Sequence, residues 1–380
     1  MFRLFILFSV FIPQFLFSQE WKEYVFSEEM TERYSEDSSA SNAYQFVFES
    51  TFIQEYQEAL VWYDEVYPQR FISEYQDSVL LSYELSPAKE ALLHRTKDQQ
   101  IILISDAIQL PTNRYFLTSI LPELWEQGYR CLGLEGLSID TLIGTQVLTD
   151  SMGHYLREPY FHALASTALN LGFTLFSYDD ASYDYKEKIN HQSQNVVNFM
   201  NAHQDQKTIL LCDERHLQEE PRDSTLTTIA SLLCAQNNYP FTVHLTLAVE
   251  RSNDSLEPAI LKTLKEPVYL KTDTSEFRGW SKVPMANMVV MMPKWSHYND
   301  VITQPAPNFT IPHKRFIDYP SLLLVYTKEI HDAGGLPFQI KQIQSAEDTP
   351  AFYLPKGDYT FLFLYEDREV YHTLNVKMTE

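Results

Sequence analysis

Gln99-Gln100-Ile101-Ile102-Leu103-Ile104-Ser105-Asp106, then Pro111-Thr112-Asn113 and, past Gly128, Cys131-Leu132-Gly133-Leu134-Glu135, is the stretch on which the fold turns. Ile101 to Ile104 is an unbroken apolar run, as expected of a strand buried on both faces. Leu117, Ile120, Leu121 and Leu124 follow at helical spacing, opened by Pro111 and stopped by Gly128. Cys131 to Leu134 is a second buried strand. The pattern then recurs: a helix over 159–171 stopped by Gly172, a strand over 173–178, and a polar helix over 186–203. After these come a strand over 208–212, a helix around 225–234, a strand over 241–247 and a further strand over 288–292. Strands alternating with helices of this length predict an α/β domain over 96–304, a mainly parallel sheet flanked by helices.

The flanks have different textures. Residues 19–95 hold no Gly, and Phe46, Phe48, Phe52, Tyr56, Leu60 and Tyr63 recur at mixed helical spacing. They predict a helical N-terminal region whose aromatic stripe reads as core. Ser86-Pro87 ahead of Ala88 reads as a helix start, with Ser86 as the cap. Residues 305–380 predict a small antiparallel β appendage, with strands over 322–327, 338–343, 359–365 and 369–376 and turns at Gly334-Gly335 and Lys356-Gly357-Asp358.

The 29 basic and 51 acidic residues give a formal charge of −22. Phosphate backbones and anionic membranes are bound by cations, so the balance argues against both as partners. Residues 1–18, with Arg3 ahead of an apolar run, read as a secretory signal peptide, which predicts an exported protein, periplasmic or secreted. No later apolar segment is long enough to span a bilayer. Cys131, Cys212 and Cys234 are odd in number, and the first two lie in strand-like runs, so they read as buried thiols. Dinucleotide and nucleotide phosphate loops, the Gly-x-Ser-x-Gly elbow and zinc-type His or Cys spacings are absent.

Sites in open parallel sheets form at the carboxyl ends of strands. Here those ends carry Asp106, then Glu135, then Asp179 and Asp180, then Asp213, Glu214 and His216. Clustered carboxylates suit general acid–base chemistry or a hard cation, or they cap the helices that follow. His216, flanked by acids, is the candidate general base, with a solvated loop histidine as its competitor. Arg157-Glu158-Pro159, ahead of a helix, presents a guanidinium to an anionic group or forms a structural ion pair.

The segment from Ser86 to Glu220 resembles the erythromycin-esterase-like and ChaN-like haem-binding superfamily, in the form common in exported proteins of Bacteroidetes. The carrying residues are Ile101 to Ala107, Arg114, Leu121-Pro122-Glu123-Leu124, Gly128-Tyr129-Arg130, Cys131 to Glu135, Arg157-Glu158-Pro159, Leu171-Gly172-Phe173 and His216. The resemblance implies a polar site at the strand ends, with His216, Glu135 and Asp106 as catalytic residues and Arg157, Glu158 and Arg114 on the substrate side. It implies a divalent metal or haem as candidate cofactor, and an unidentified small-molecule or peptide ligand. The family's first strand usually ends in Asn/Gly-Glu-Ala-His. Ser105-Asp106-Ala107-Ile108 stands here, so the acid is one methylene shorter and the histidine is gone. Cys212-Asp213-Glu214-Arg215 replaces the family's glycine-rich approach to the last histidine. The expectation is an altered site that binds a ligand or partner, with a hydrolase using His216 and the strand-end carboxylates as the alternative.

Overall fold

The computed structural model describes residues 24–68, 74–144, 146–182, 184–220, 225–245, 250–253, 257, 259–272, 275–278, 286–295, 307–311, 319–365 and 370–379. The signal segment read over 1–18 lies outside them. Nine strands form the main sheet: β1 (Glu84–Pro87), β2 (Ile101–Asp106), β3 (Tyr129–Leu134), β4 (Thr141–Leu142), β5 (Thr174–Ser177), β6 (Lys207–Asp213), β7 (Phe241–His244), β8 (Val268–Lys271) and β9 (Met288–Met291). Their order is β1-β8-β9-β7-β2-β6-β3-β5-β4. The six strands from β9 to β5 are mutually parallel, and β8, β1 and β4 add antiparallel edges. The chain is thus an α/β protein with a mainly parallel sheet, as the alternating pattern predicts.

The helices between these strands bury opposite faces of the sheet. Helices α5 (Ala88–Thr96), α6 (Pro111–Glu126) and α7 (Pro159–Leu171) pack with Ile102, Ile104, Leu132, Leu134 and Leu211 in one core. Helices α8 (Tyr185–Ala202) and α9 (Ile229–Ala235) pack with Ile101, Leu103, Cys131 and Leu210 in the other. Alternate residues of β2 therefore serve different cores, which is why the whole run is apolar. Gly172 closes α7 at φ +99°, a left-handed geometry that other residues seldom adopt. One local expectation changes. Ser86 does not cap α5; it lies in β1, paired with Tyr269 of β8, and Pro87 occupies the cap position. The extended backbone that a proline imposes on its predecessor favours the strand.

Helices α1 (Ser27–Glu36), α2 (Ala40–Phe52) and α3 (Tyr56–Val66) precede α4 (Glu74–Leu81). The C-terminal sheet is antiparallel, ordered β12 (Gln339–Ile343), β11 (Ser321–Thr327), β14 (Gly357–Leu364) and β15 (Val370–Met378), and β10 (Phe309–Thr310) and β13 (Ala351–Phe352) form a separate antiparallel pair. Leu322, Leu324 and Tyr326 of β11 face Phe46, Val47 and Trp62 of the N-terminal helices. Leu323 and Val325 face Phe352, Phe361 and Phe363 on the other side. Being covered on both faces, β11 is an unbroken apolar and aromatic run from Leu322 to Tyr326, although antiparallel strands more often alternate. Ile108, at the mouth of the α/β domain, packs against the same N-terminal cluster. The two flanking regions are therefore one layer, built across the whole length of the chain. Phe46→Ala is expected to cost about 3–5 kcal/mol, the usual range for a buried aromatic cut to alanine. Urea denaturation checks this, with proteolysis at 24–68 as the local readout. Among the described residues no helix is long and apolar enough to cross a membrane.

Candidate functional site

The carboxyl ends of β2, β3 and β6 open into a cavity of about 300 Å³. Asp106 and Asp213 are register partners at the ends of β2 and β6. With Glu135 after β3 and Glu214 after β6, they form its acidic floor. The aromatic walls come from elsewhere: Tyr44 and Phe48 from α2, Tyr63 and Tyr67 from α3 and its end, and Tyr155 and Phe161 from the α/β domain. The N-terminal stripe, read as core, is thus divided. Phe46 and Phe52 are buried core, while Phe48 and Tyr63 line the cavity, joined there by Tyr44.

Two of the floor carboxylates, Asp106 and Glu135, each share a cation with a carboxylate outside the cavity lining. Arg114 is fully buried. Its Nη1 donates to Asp106 Oδ2 at 2.9 Å, its Nη2 donates to the Ile108 carbonyl at 2.6 Å, and its Nε lies 2.9 Å from Glu158 Oε2. Glu158 also accepts the Tyr160 and Phe161 amides as the cap of α7, and the Tyr56 hydroxyl at 2.6 Å. On the other side, Lys188 Nζ lies 2.9 Å from Glu135 Oε1 and 3.2 Å from Asp179 Oδ1. Gln192, one helical turn on, donates to the same two oxygens at 3.0 Å each. Each pair of carboxylates shares one cation, leaving an excess of negative charge.

Burial raises the carboxyl pKa values of Asp106, Glu135 and Asp213, against the lowering effect of Arg114, Lys188 and Arg215 respectively. Burial alone would lower that of Lys188, but Glu135 and Asp179 raise it above the ordinary lysine value. Burial pushes the Tyr44 phenol up to about 12 and the Cys212 thiol well above its usual value, so neither is an anion at neutral pH.

His216 lies outside the cavity lining. It is fully buried, with Nε2 3.0 Å from Gln192 Oε1 and Nδ1 3.4 Å from the Ile229 amide. The amide donates to Nδ1, so Nε2 carries the proton and donates to Gln192. Burial, aided by Arg215 and Lys188, holds its pKa down at about 3. It orders Gln192, which orders the Glu135–Asp179 pair. The six residues singled out by sequence are therefore not gathered in one place. Asp106 and Glu135 line the cavity, Arg114 and Glu158 stand behind Asp106, and His216 stands behind Glu135 by way of Gln192. Arg157 faces a second cavity of about 210 Å³, lined also by Tyr24, Tyr326 and Leu336. There its Nε and Nη2 contact both carboxylate oxygens of Asp150 at 2.6 and 3.0 Å.

Among the described residues, no group of three or more His, Cys, Asp or Glu side chains is placed to hold a metal ion. The ammonium of Lys188 stands where a cation between Glu135 and Asp179 would sit. Among the described residues no histidine lines the cavity. The described residues supply neither a metal-binding group of that kind nor a histidine ligand for haem.

No protein-family profile matches this chain. No curated protein matches it either. Solved structures with some likeness include the type III effector HopBA1, with a TM-score of 0.35 and 11% identity over 56% of this chain and 98% of that one. Another, described as bacterial protein toxins, has a TM-score of 0.31 and 13% identity over 65% of this chain and 49% of that one. At such scores they say nothing of what this chain does.

Several side chains at the site escaped the sequence reading. Lys188 and Gln192 had a usable signal, four residues apart on a polar helix and so on one face. His244, buried at the end of β7 with Nε2 3.3 Å from Glu214 Oε2, was one more strand end to inspect. The Tyr44 and Tyr63 walls had none, because α2 and α3 reach the site only through tertiary packing.

Proposed function

We propose that this is an exported protein with an altered erythromycin-esterase-like domain, and that it binds a small ligand in the strand-end cavity. The observation that carries this is the cavity itself: about 300 Å³, walled by aromatic rings, with a few convergent polar groups. Ligand sites usually have that make-up. Two features support binding over turnover. Ile108, where the resemblance expects histidine, lines the cavity and packs on the N-terminal cluster. His216 is held neutral, with both ring nitrogens engaged by the protein. Binding is tested by calorimetric titration of small polar compounds against the full chain and against Ala107→Leu, which adds bulk at a lining position. Binding that survives unchanged in Ala107→Leu places the ligand elsewhere.

The hydrolase alternative is favoured by Asp106, Glu135 and Asp213, cavity carboxyls with raised pKa values, as a proton donor requires. Ile108→His combined with Asp106→Glu rebuilds the first motif. We expect the folded double variant to show no esterase or peptidase turnover above the parent, because Arg114 still holds the acid at 106 and His216 stays engaged. Turnover that rises tenfold or more would restore the hydrolase reading.

A further inference from the structure

Resting on the binding role just proposed, the site's unmet chemistry narrows the ligand class. The floor is short of positive charge, since Asp106 shares Arg114 with Glu158 and Glu135 shares Lys188 with Asp179. Asp213 and Glu214 add two more carboxylates, and Arg215 is the one cation among the lining residues. Asp106 Oδ1 is buried and meets no donor in full hydrogen-bond geometry, while Arg114 takes Oδ2 and the Ala107 backbone amide lies near the carboxyl. It calls for a donor from outside the chain. Gln109, three residues on and only 2% exposed, also lines the cavity. Its Nε2 meets no acceptor in full hydrogen-bond geometry, and of its two N–H groups at most one is spent on the nearby Tyr63 phenol oxygen. It calls for an oxygen. Buried polar atoms without partners are costly, and a ligand that supplies them recovers that cost. The electron-rich faces of Tyr44, Tyr63 and Phe48 attract cations further.

We propose that the cavity takes a small organic ammonium that also carries a hydroxyl, with the charged nitrogen toward the carboxylate floor and the oxygen toward Gln109. A neutral sugar would satisfy Gln109 but leave the excess charge. A carboxylate or phosphate would meet four acidic side chains.

Matched probes separate charge from shape. Glucosamine is compared with glucose, and choline with 3,3-dimethyl-1-butanol, its uncharged carbon counterpart, by calorimetric titration of the full chain. Each ammonium should bind at least tenfold more tightly than its neutral partner. Gln109→Leu should weaken choline severalfold while keeping the preference for charge, and Tyr63→Leu should weaken both ammonium probes. Unfolding midpoints of the variants confirm that they fold. Neutral probes that bind as tightly as their ammonium partners, and are weakened by Tyr63→Leu, would overturn the ligand class while leaving the cavity as the binding site. No binding by any probe, gluconate included, would overturn both.

Discussion

Replacing Arg114 by alanine is expected to lower the unfolding free energy by about 3–5 kcal/mol, the range for removing one partner of a buried ion pair. The guanidinium is fully buried and holds together three parts of the domain. It meets Asp106 at the end of β2, the Ile108 carbonyl in the loop that lines the cavity, and Glu158 at the start of α7. Without it, Asp106 and Glu158 become buried charges with no cation, and the Ile108 carbonyl loses its donor. Arg114→Lys should recover only part of the loss, because one ammonium does not reproduce the fork that spans these acceptors. Urea denaturation at neutral pH measures both. A cost below about 1 kcal/mol for Arg114→Ala would mean that the two carboxylates find other partners or take up protons.

The second large effect is a loss of stability in acid. His216 has a folded pKa of about 3, against the ordinary histidine value of 6.5. Below pH 6.5 the unfolded chain takes up a proton that the folded protein refuses. Stability from this group is therefore complete above pH 6.5 and lost as pH falls toward 3, up to about 5 kcal/mol at about 1.4 kcal/mol per pK unit. Buried His162, lowered to about 4, acts in the same direction. Asp106, Glu135 and Asp213 act in the opposite direction: with raised folded values, they lose stability as pH rises through the window above their unfolded values. The difference between the parent and His216→Gln isolates the one group. Unfolding free energies from pH 7 to pH 4 should fall more steeply in the parent. Equal slopes would show that His216 takes its proton while folded, which requires it to leave the Ile229 amide.

What was legible in the sequence follows from local periodicity. The apolar run of Ile101 to Ile104 marked a two-faced strand, and the helix stop at Gly172 marked a left-handed turn. The order of these elements implied the parallel sheet, and the parallel sheet implied that Asp106, Glu135 and Asp213 share one rim. The short antiparallel edges were not legible. Glu84–Pro87 is a strand because it pairs with Val268–Lys271, which itself pairs with Met288–Met291, and Ser86-Pro87 taken alone has the form of a helix start.

Local pattern along the chain was enough for the fold class and for the side of the sheet on which a site would lie, because both depend on the order of elements and the direction of strands. The roles of the individual side chains came from packing between elements. It drew Arg114 and Glu158 behind the floor, locked His216 between Gln192 and the Ile229 amide, and sent Arg157 to a second cavity. It also brought Tyr44 and Tyr63 over the strand ends. Spacing along a chain says which residues share an element, but burial and partners across elements set whether a charged side chain meets a ligand or another side chain.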